Sequence, residues 1–346
     1  WGYDPRYHVW RGVHAVRSRC QALLADSMRL EADARGDVSF VVNVGDSFYP
    51  QGTYFDDSQW RTKWGDVYGK IPRPRYGPAA RRVVPWYSVY GNHDISQKDL
   101  DCGCRSDTQK CNQVRRHGFQ PNANLSWYMP NVSYYVRPLD GLPLELLALD
   151  VNARDSTKLC PWVACNSQVC KRDDEQFFKD GCVLAECKQT LAEREVQAAR
   201  MLRDRIDAAI AEKRTSLLVF SHYPLDYLRG SAPGGVNVLR ALRDERLRVA
   251  YFGGHRHSTE NNTNSEAAPM HAFTLGGGGG WSCDGQQGYL VGEIMSDGSW
   301  DNLKLVRLPF DDCCAPYNPV EDFAAGCEEM GSCKKYDCVF NGNCER

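Results

Sequence analysis

Four short segments, far apart in the chain, each close an apolar run with side chains that bind metal ions. They are Gly45-Asp46-Ser47-Phe48-Tyr49, Gly91-Asn92-His93-Asp94, Ser221-His222-Tyr223-Pro224 and Gly254-His255-Arg256-His257. Carboxylate, amide, phenol and imidazole groups gathered from four strand ends can hold two cations bridged by one carboxylate, a geometry suited to hydrolysing phosphate esters. Asp46, behind a glycine at a strand end, is the candidate bridge. Tyr49, three residues on, reaches the same cation if the loop turns back, and a phenolate is a strong ligand for a hard trivalent ion such as Fe(III). His255 and His257 point the same way in an extended segment, whereas a tight glycine-led turn splays them toward two metals. Asn92 offers a neutral oxygen and His222 a neutral nitrogen to the second ion, and His93 is left free to work on substrate.

The elements that position these groups follow from periodicity. Val13, Val16, Leu23, Leu24 and Met28 recur at helical spacing, predicting an amphipathic helix over residues 9–34. A buried strand over 38–44 delivers Asp46, a helix spans 58–68, and a strand over 82–90 delivers Asn92 and His93. Two or three strands follow between 126 and 151, among them 132–136 and 144–150, and 186–211 is helical. The strand 216–221 ends at His222, a short helix covers 236–245, and the strand 248–252 ends at the paired histidines. Beyond it 272–275, 289–295 and 303–308 read as strands. Alternation of strand, site loop and helix is the pattern of α/β architecture.

Composition bounds the class. The 42 basic residues nearly balance 44 acidic ones, so no broad basic face is available for nucleic acid. No apolar run reaches the roughly 18 residues needed to span a bilayer as a helix. Sixteen cysteines, without a pair of C-x2-C knuckles, point to disulfides and an oxidising compartment. Sequons at Asn124, Asn131 and Asn261 agree with a secretory route and offer sites for N-glycans. Cysteine-dense insertions at about residues 100–118 and 155–188 read as surface loops stapled by local disulfides. The tail 311–346 has few aliphatic residues, so cross-links must order it.

In order and spacing, the four segments resemble the calcineurin-like metallophosphoesterases, and Tyr49 narrows the resemblance to purple acid phosphatases of the small tartrate-resistant type. It covers roughly residues 1–310. It implies an αββα fold, α/β or by some schemes α+β, in which two mixed sheets pack as a sandwich flanked by helices. It places a ferric ion on Asp46, Tyr49 and His257 and a divalent ion, zinc, iron or manganese, on Asp46, Asn92, His222 and His255. The implied activity is that of a secreted or lumenal acid phosphatase, in which a metal-bound hydroxide attacks a phosphomonoester, a phosphoprotein or nucleotide among the candidates. His93 stabilises or protonates the reacting phosphate. The family begins with a strand ending in Gly-Asp-x-Gly, and Trp1-Gly2 matches only its last half. The expectation is therefore an upstream strand bearing a further aspartate, with Asp4 as a weaker substitute.

Taken singly, each residue has an ordinary explanation. A Gly-Asp pair is usually a turn and a lone buried histidine usually hydrogen-bonds to backbone, so the argument rests on the four together. Asp94 reads as orienting His93 or capping a loop, and Asp150 as structural or as support for the site. His8, His14, His117 and His271 read as surface or packing residues, and Gly276 to Gly280 as a tight backbone path. Arg105, Lys110, Arg115 and Arg116 read as a solvated loop. The competing function is a phosphatase-like structural or anchoring component of an extracellular or surface assembly, binding protein partners through the cysteine-rich tail.

Overall fold

The computed structural model describes residues 14–49, 52–69, 71–75, 83–95, 97–99, 102–103, 106–117, 126–137, 142–156, 159, 184–230, 237–265, 268–275 and 286–309. Their strands are β1 (Val41–Asn43), β2 (Trp86–Ser88), β3 (Trp127–Tyr128), β4 (Tyr134–Val136), β5 (Leu144–Leu149), β6 (Ser216–Ser221), β7 (Arg248–Gly253), β8 (Thr259–Asn261), β9 (His271–Leu275), β10 (Gln286–Ile294) and β11 (Trp300–Pro309). The longer helices are α1 (His14–Arg35) and α2 (Leu184–Ala211), and α3 (Val238–Leu242) is a short one.

Every residue of β5 and β6 is buried, as expected for strands covered on both faces. A mixed six-stranded sheet runs β4-β5-β6-β7-β9-β8, with β5, β6, β7 and β9 parallel. Because side chains alternate across a strand, Leu218, Phe220, Ala250 and Phe252 face one core, while Leu217, Val219, Val249 and Tyr251 face the other. The second core is closed by α2. Ala198, Leu202, Ile206 and Ala209 recur at helical spacing along it and are buried against the sheet.

The first core is shared with a parallel sheet, β1-β2-β3, and with the antiparallel hairpin β10-β11. Layered sheets flanked by helices are the expected architecture. The layer opposite the six-stranded sheet consists of two separately bonded groups among the described residues. A cavity of about 500 Å³, lined by Val42, Phe252, Leu275, Leu290 and Leu303 among others, lies between β1 and β10. The expected upstream strand, Asp4, the tail 311–346, Gly276 to Gly280, Asn124 and most of the 155–188 insertion lie outside the described residues.

An aromatic cluster anchors the β1 side. Trp64 meets Trp86 and Trp127 edge-on with centroids 4.8 and 4.7 Å apart, and Phe48 packs on Trp60 at 4.6 Å. The expected helix over 58–68 is a π-helical segment, Trp60–Gly65, running into a short α-helical turn, Asp66–Tyr68. Its wider turn sets Trp60 and Trp64 both into the core. The strands β1 and β2 are shorter than their apolar runs, since the flanking residues pass into the loops that carry Asp46 and Asn92.

Two expectations are corrected. Cys102 and Cys111 form a disulfide, yet both are fully buried beside the aromatic core, so this part of the first insertion is interior rather than a surface staple. Arg116 is likewise buried, donating to the Phe55 carbonyl at 2.9 Å and lying over the Phe55 and Trp60 rings. Arg115 stacks on Phe55 from the exposed side, and Lys110 is solvated.

Removing Leu202, fully buried between α2 and the sheet, should cost about 2–5 kcal/mol in Leu202→Ala. Substituting its exposed neighbour, Arg203→Ala, should change stability by less than ~0.5 kcal/mol. Urea unfolding followed by tryptophan fluorescence checks both; equal effects would contradict the packing described.

Candidate metal centre

All four site segments leave the carboxyl ends of strands. Asp46 and Tyr49 follow β1, Asn92 and His93 follow β2, His222 follows β6, and His255 and His257 follow β7. Since β1 and β2 run parallel, as do β6 and β7, each pair of loops emerges on one edge of its sheet. The packing of the two sheets brings the pairs face to face.

Asp46 lies at the centre, 5% exposed, with a left-handed backbone at φ 54°. Its Oδ1 accepts the His93 backbone N–H at 2.9 Å, and its Oδ2 accepts the Tyr49 hydroxyl at 2.7 Å. That same Oδ2 lies 3.4 Å from His222 Nε2. On one side, Tyr49 Oη is 3.3 Å from His257 Nε2. On the other, Asn92 Oδ1 is 3.0 Å from both His222 Nε2 and His255 Nδ1, which are themselves 3.2 Å apart. The seven sequence-derived candidates thus converge, with the His93 ring packed on the Tyr49 ring at 4.3 Å. His255 also has a positive φ, 67°, the splayed turn that sends its ring and that of His257 to different sides.

The loops are locked by a second carboxylate. Asp94 is fully buried and accepts the backbone N–H groups of Ser47 at 2.9 Å, Phe48 at 3.1 Å and Gly91 at 3.0 Å. This ties the β1 loop to the β2 loop, so Asp94 is the loop cap among the two roles expected of it. Gly91 is required by close approach: a Cβ there would fall 2.1 Å from Asp46 Oδ1 and 2.5 Å from the Asp46 nitrogen. Asp150 is structural, accepting from the Asn152 amide at 2.8 Å and lying 3.7 Å from Arg194.

The electrostatics distinguish these groups. Burial pushes the Asp46 carboxyl up, but the neighbouring His222 and His93 rings and hydrogen bonds from His222 and Tyr49 outweigh it and hold it well below the usual range. Burial and the Asp46 charge raise Asp94. Burial lowers His222, yet Asp46 and the Val44 carbonyl more than offset this and leave it raised. Burial, followed by the His222 charge, holds His255 well below its ordinary value.

The donor set fits a cation. His222 Nδ1 sits 2.8 Å from the Val44 carbonyl and donates to it, so in the neutral ring Nε2 presents a lone pair toward Asn92 and Asp46. Nitrogen and oxygen ligands bound at about 2.0–2.1 Å stand about 3.0–3.4 Å from one another in octahedral to tetrahedral arrangements. The Asn92–His222, Asn92–His255, His222–His255 and Asp46–His222 spacings fall in that interval. No group of three or more His, Cys, Asp or Glu is arranged to hold a metal by itself among the described residues; here the Asn92 oxygen and the Tyr49 phenol complete the cluster. When bound, cations supply Lewis acidity and neutralise charge on a phosphate.

Three neighbours had no role assigned from sequence. Asp155, in a 3-10 turn after β5, places Oδ2 3.9 Å from His255 Nε2. Tyr223 and Tyr227 pack on the His255 ring at 4.7 and 5.2 Å. Asp155 and Tyr227 had no spacing signal, because they meet the site through tertiary packing, whereas Tyr223 lies within the His222 segment itself. Arg256, between the two histidines, turns away to pair with Asp226 and with Glu260 at 3.5 Å.

Over residues 13–259 the sequence matches the calcineurin-like phosphoesterase family. Comparison with curated proteins finds no match.

In the metal-free protein, the stability His222 gains from Asp46 is complete below pH 6.5 and fades as pH rises through its raised pKa. The gain on Asp46 holds above 3.8 and is lost as pH falls through its lowered pKa. A cation must displace the His222 proton, so divalent-ion binding should weaken as pH falls below the raised pKa of His222, by up to about tenfold per pH unit. Metal titration at several pH values checks this, and pH-independent binding would contradict the competition.

Proposed function

This chain belongs to the calcineurin-like phosphoesterases, hydrolases of phosphoesters that use divalent metals, and we propose that within that family it is a phosphomonoesterase of the purple acid phosphatase type. One observation carries the narrower reading: the Tyr49 phenol lies 2.7 Å from Asp46 Oδ2 and 3.3 Å from His257 Nε2, inside the cluster rather than beside it. A phenolate with a carboxylate and an imidazole is a donor set for Fe(III), and the amide and two imidazoles on the other side suit zinc, iron or manganese. In this reading Asp46, Tyr49 and His257 hold the first ion. Asp46, Asn92, His222 and His255 hold the second.

The chain's own groups then divide the work. Asp46, fixed by Tyr49 and by the His93 backbone, keeps the two halves of the centre at one separation. His93, 4% exposed and packed on Tyr49, presents its ring where a leaving oxygen can be met. Water adds its oxygen to phosphorus and gives up a proton to solvent, the phosphorus–oxygen ester bond breaks, and His93 delivers a proton to the departing alcohol oxygen and regains one from solvent. The convergence of all seven groups favours this enzyme over a purely anchoring role. The Cys102–Cys111 disulfide, together with the bonded Cys187, supports a secreted or lumenal compartment. Asn261 is exposed and Asn131 half-buried, so the former is the better glycan acceptor.

Metal analysis and turnover of a chromogenic phosphomonoester by one purified sample test the proposal. Iron with a second metal, a visible charge-transfer band lost in Tyr49→Phe, and acid-range activity are expected; a colourless, iron-free and inactive protein would refute it. His93→Ala should lower kcat by about 10²- to 10⁴-fold while both metals stay bound. Loss of the metals in that variant would show that His93 is a ligand instead.

A further inference from the structure

His255 uses its two ring nitrogens in opposite directions. Nδ1 faces the centre, 3.0 Å from Asn92 Oδ1 and 3.2 Å from His222 Nε2. Nε2 faces out of it, toward Asp155 Oδ2 at 3.9 Å. The two side chains are only 9% and 10% exposed, so little bulk water intervenes. The ring plane is held by Tyr223 and Tyr227, the second meeting it edge-on. A neutral imidazole carries one proton, and a ring that offers the Nδ1 lone pair to a cation must carry that proton on Nε2.

We propose that Asp155 is a positioning residue for the divalent-cation site, fixing His255 with its proton on Nε2 so that Nδ1 is presented to the ion. The inference rests on the proposed function for the existence of the cation. His222 supplies the comparison within the same centre: its non-coordinating nitrogen is fixed by the Val44 carbonyl at 2.8 Å. One histidine of the pair is thus oriented by backbone and the other by a carboxylate. A carboxylate does more than orient, since its charge raises the basicity of the imidazole that it faces and strengthens the bond on the far side of the ring. Asp155 sits in the turn Asn152–Asp155, which packs against α2, and so is held by the fold rather than by the loop it serves.

The test is zinc titration of wild type, Asp155→Ala, Asp155→Asn and Asp155→Glu, with the visible band of the iron-loaded protein recorded alongside. Asp155→Ala is expected to weaken zinc at the site of Asn92, His222 and His255 by about 10- to 100-fold. The band that reports Tyr49 should be unchanged, and Asp155→Glu should recover most of the affinity. A merely structural role would weaken both ions together or neither, and would not be rescued by glutamate. Should Asp155→Ala fail to fold, the near-isosteric Asp155→Asn is read in the same way, with a several-fold loss expected. Wild-type zinc affinity retained in the folded variants would overturn the role of Asp155 alone. A wild type that binds no zinc would instead overturn the metal centre itself, and the inference with it.

Discussion

Everything in this molecule is arranged around an electrostatic conflict. A carboxylate oxygen, an amide oxygen and two imidazole nitrogens stand 3.0–3.4 Å apart in a largely buried space, and each has electron density directed inward. At most a proton or two can be shared among them, because His222 Nδ1–H is already committed to Val44. Such crowding is costly at low dielectric unless positive charge is placed among the donors. The left-handed backbones at Asp46 and His255 add about 1–3 kcal/mol each. Surrounding structure must therefore over-determine these positions, and it does so through the Phe48–Trp60 packing below Asp46 and the tyrosine pair around His255.

Two buried aspartates show how charge type and hydrogen bonding separate roles. Asp94 receives three backbone N–H groups, and it joins the loops of neighbouring parallel strands. Asp46 faces imidazoles and a phenol, and its ionised form is favoured strongly. If the two exchanged environments, the loops would lose their clamp and the donors their shared counter-charge. The Asp46 charge, after burial, is one of the causes that raise Asp94 above its ordinary value, so the two carboxylates are electrostatically linked.

Much of this was legible in sequence because the ligands sit where an apolar run ends, and strand ends are positions that periodicity can find. The strands β5 and β6 were legible as apolar runs, and the structure adds that both are buried throughout. The interior placement of Cys102 and Cys111 was not, since the segment has no period and is buried only by contact with remote aromatics and with Arg194. Arg116 escaped similarly: its charge reads as solvent-exposed, whereas in the fold it meets the Phe55 carbonyl and two rings. Strands β3 and β8, two and three residues long, exist through pairing rather than propensity. Asp155 lacked any signal because its distance to His255 spans 100 residues of chain. Where a side chain meets its partner only in the folded state, spacing carries no trace of it.

The origin of the donors in two different layers has a further consequence. Asp46, Tyr49 and Asn92 belong to the β1–β2 side and His222, His255 and His257 to the six-stranded sheet, so neither layer holds a complete set. The contacts that close the centre, Tyr49 with His257, Asn92 with both histidines and His222 with Val44, all cross between layers. Cation affinity is therefore linked to the packing of Val44, Trp86, Phe220 and Phe252 in the core the two layers share, with no residue of that core needing to touch the ion. By the same linkage, a bound cation stabilises the sandwich. The site is then a fastening between layers as well as a place for chemistry, which accounts for strained, charge-rich loops being tolerated where the two layers meet.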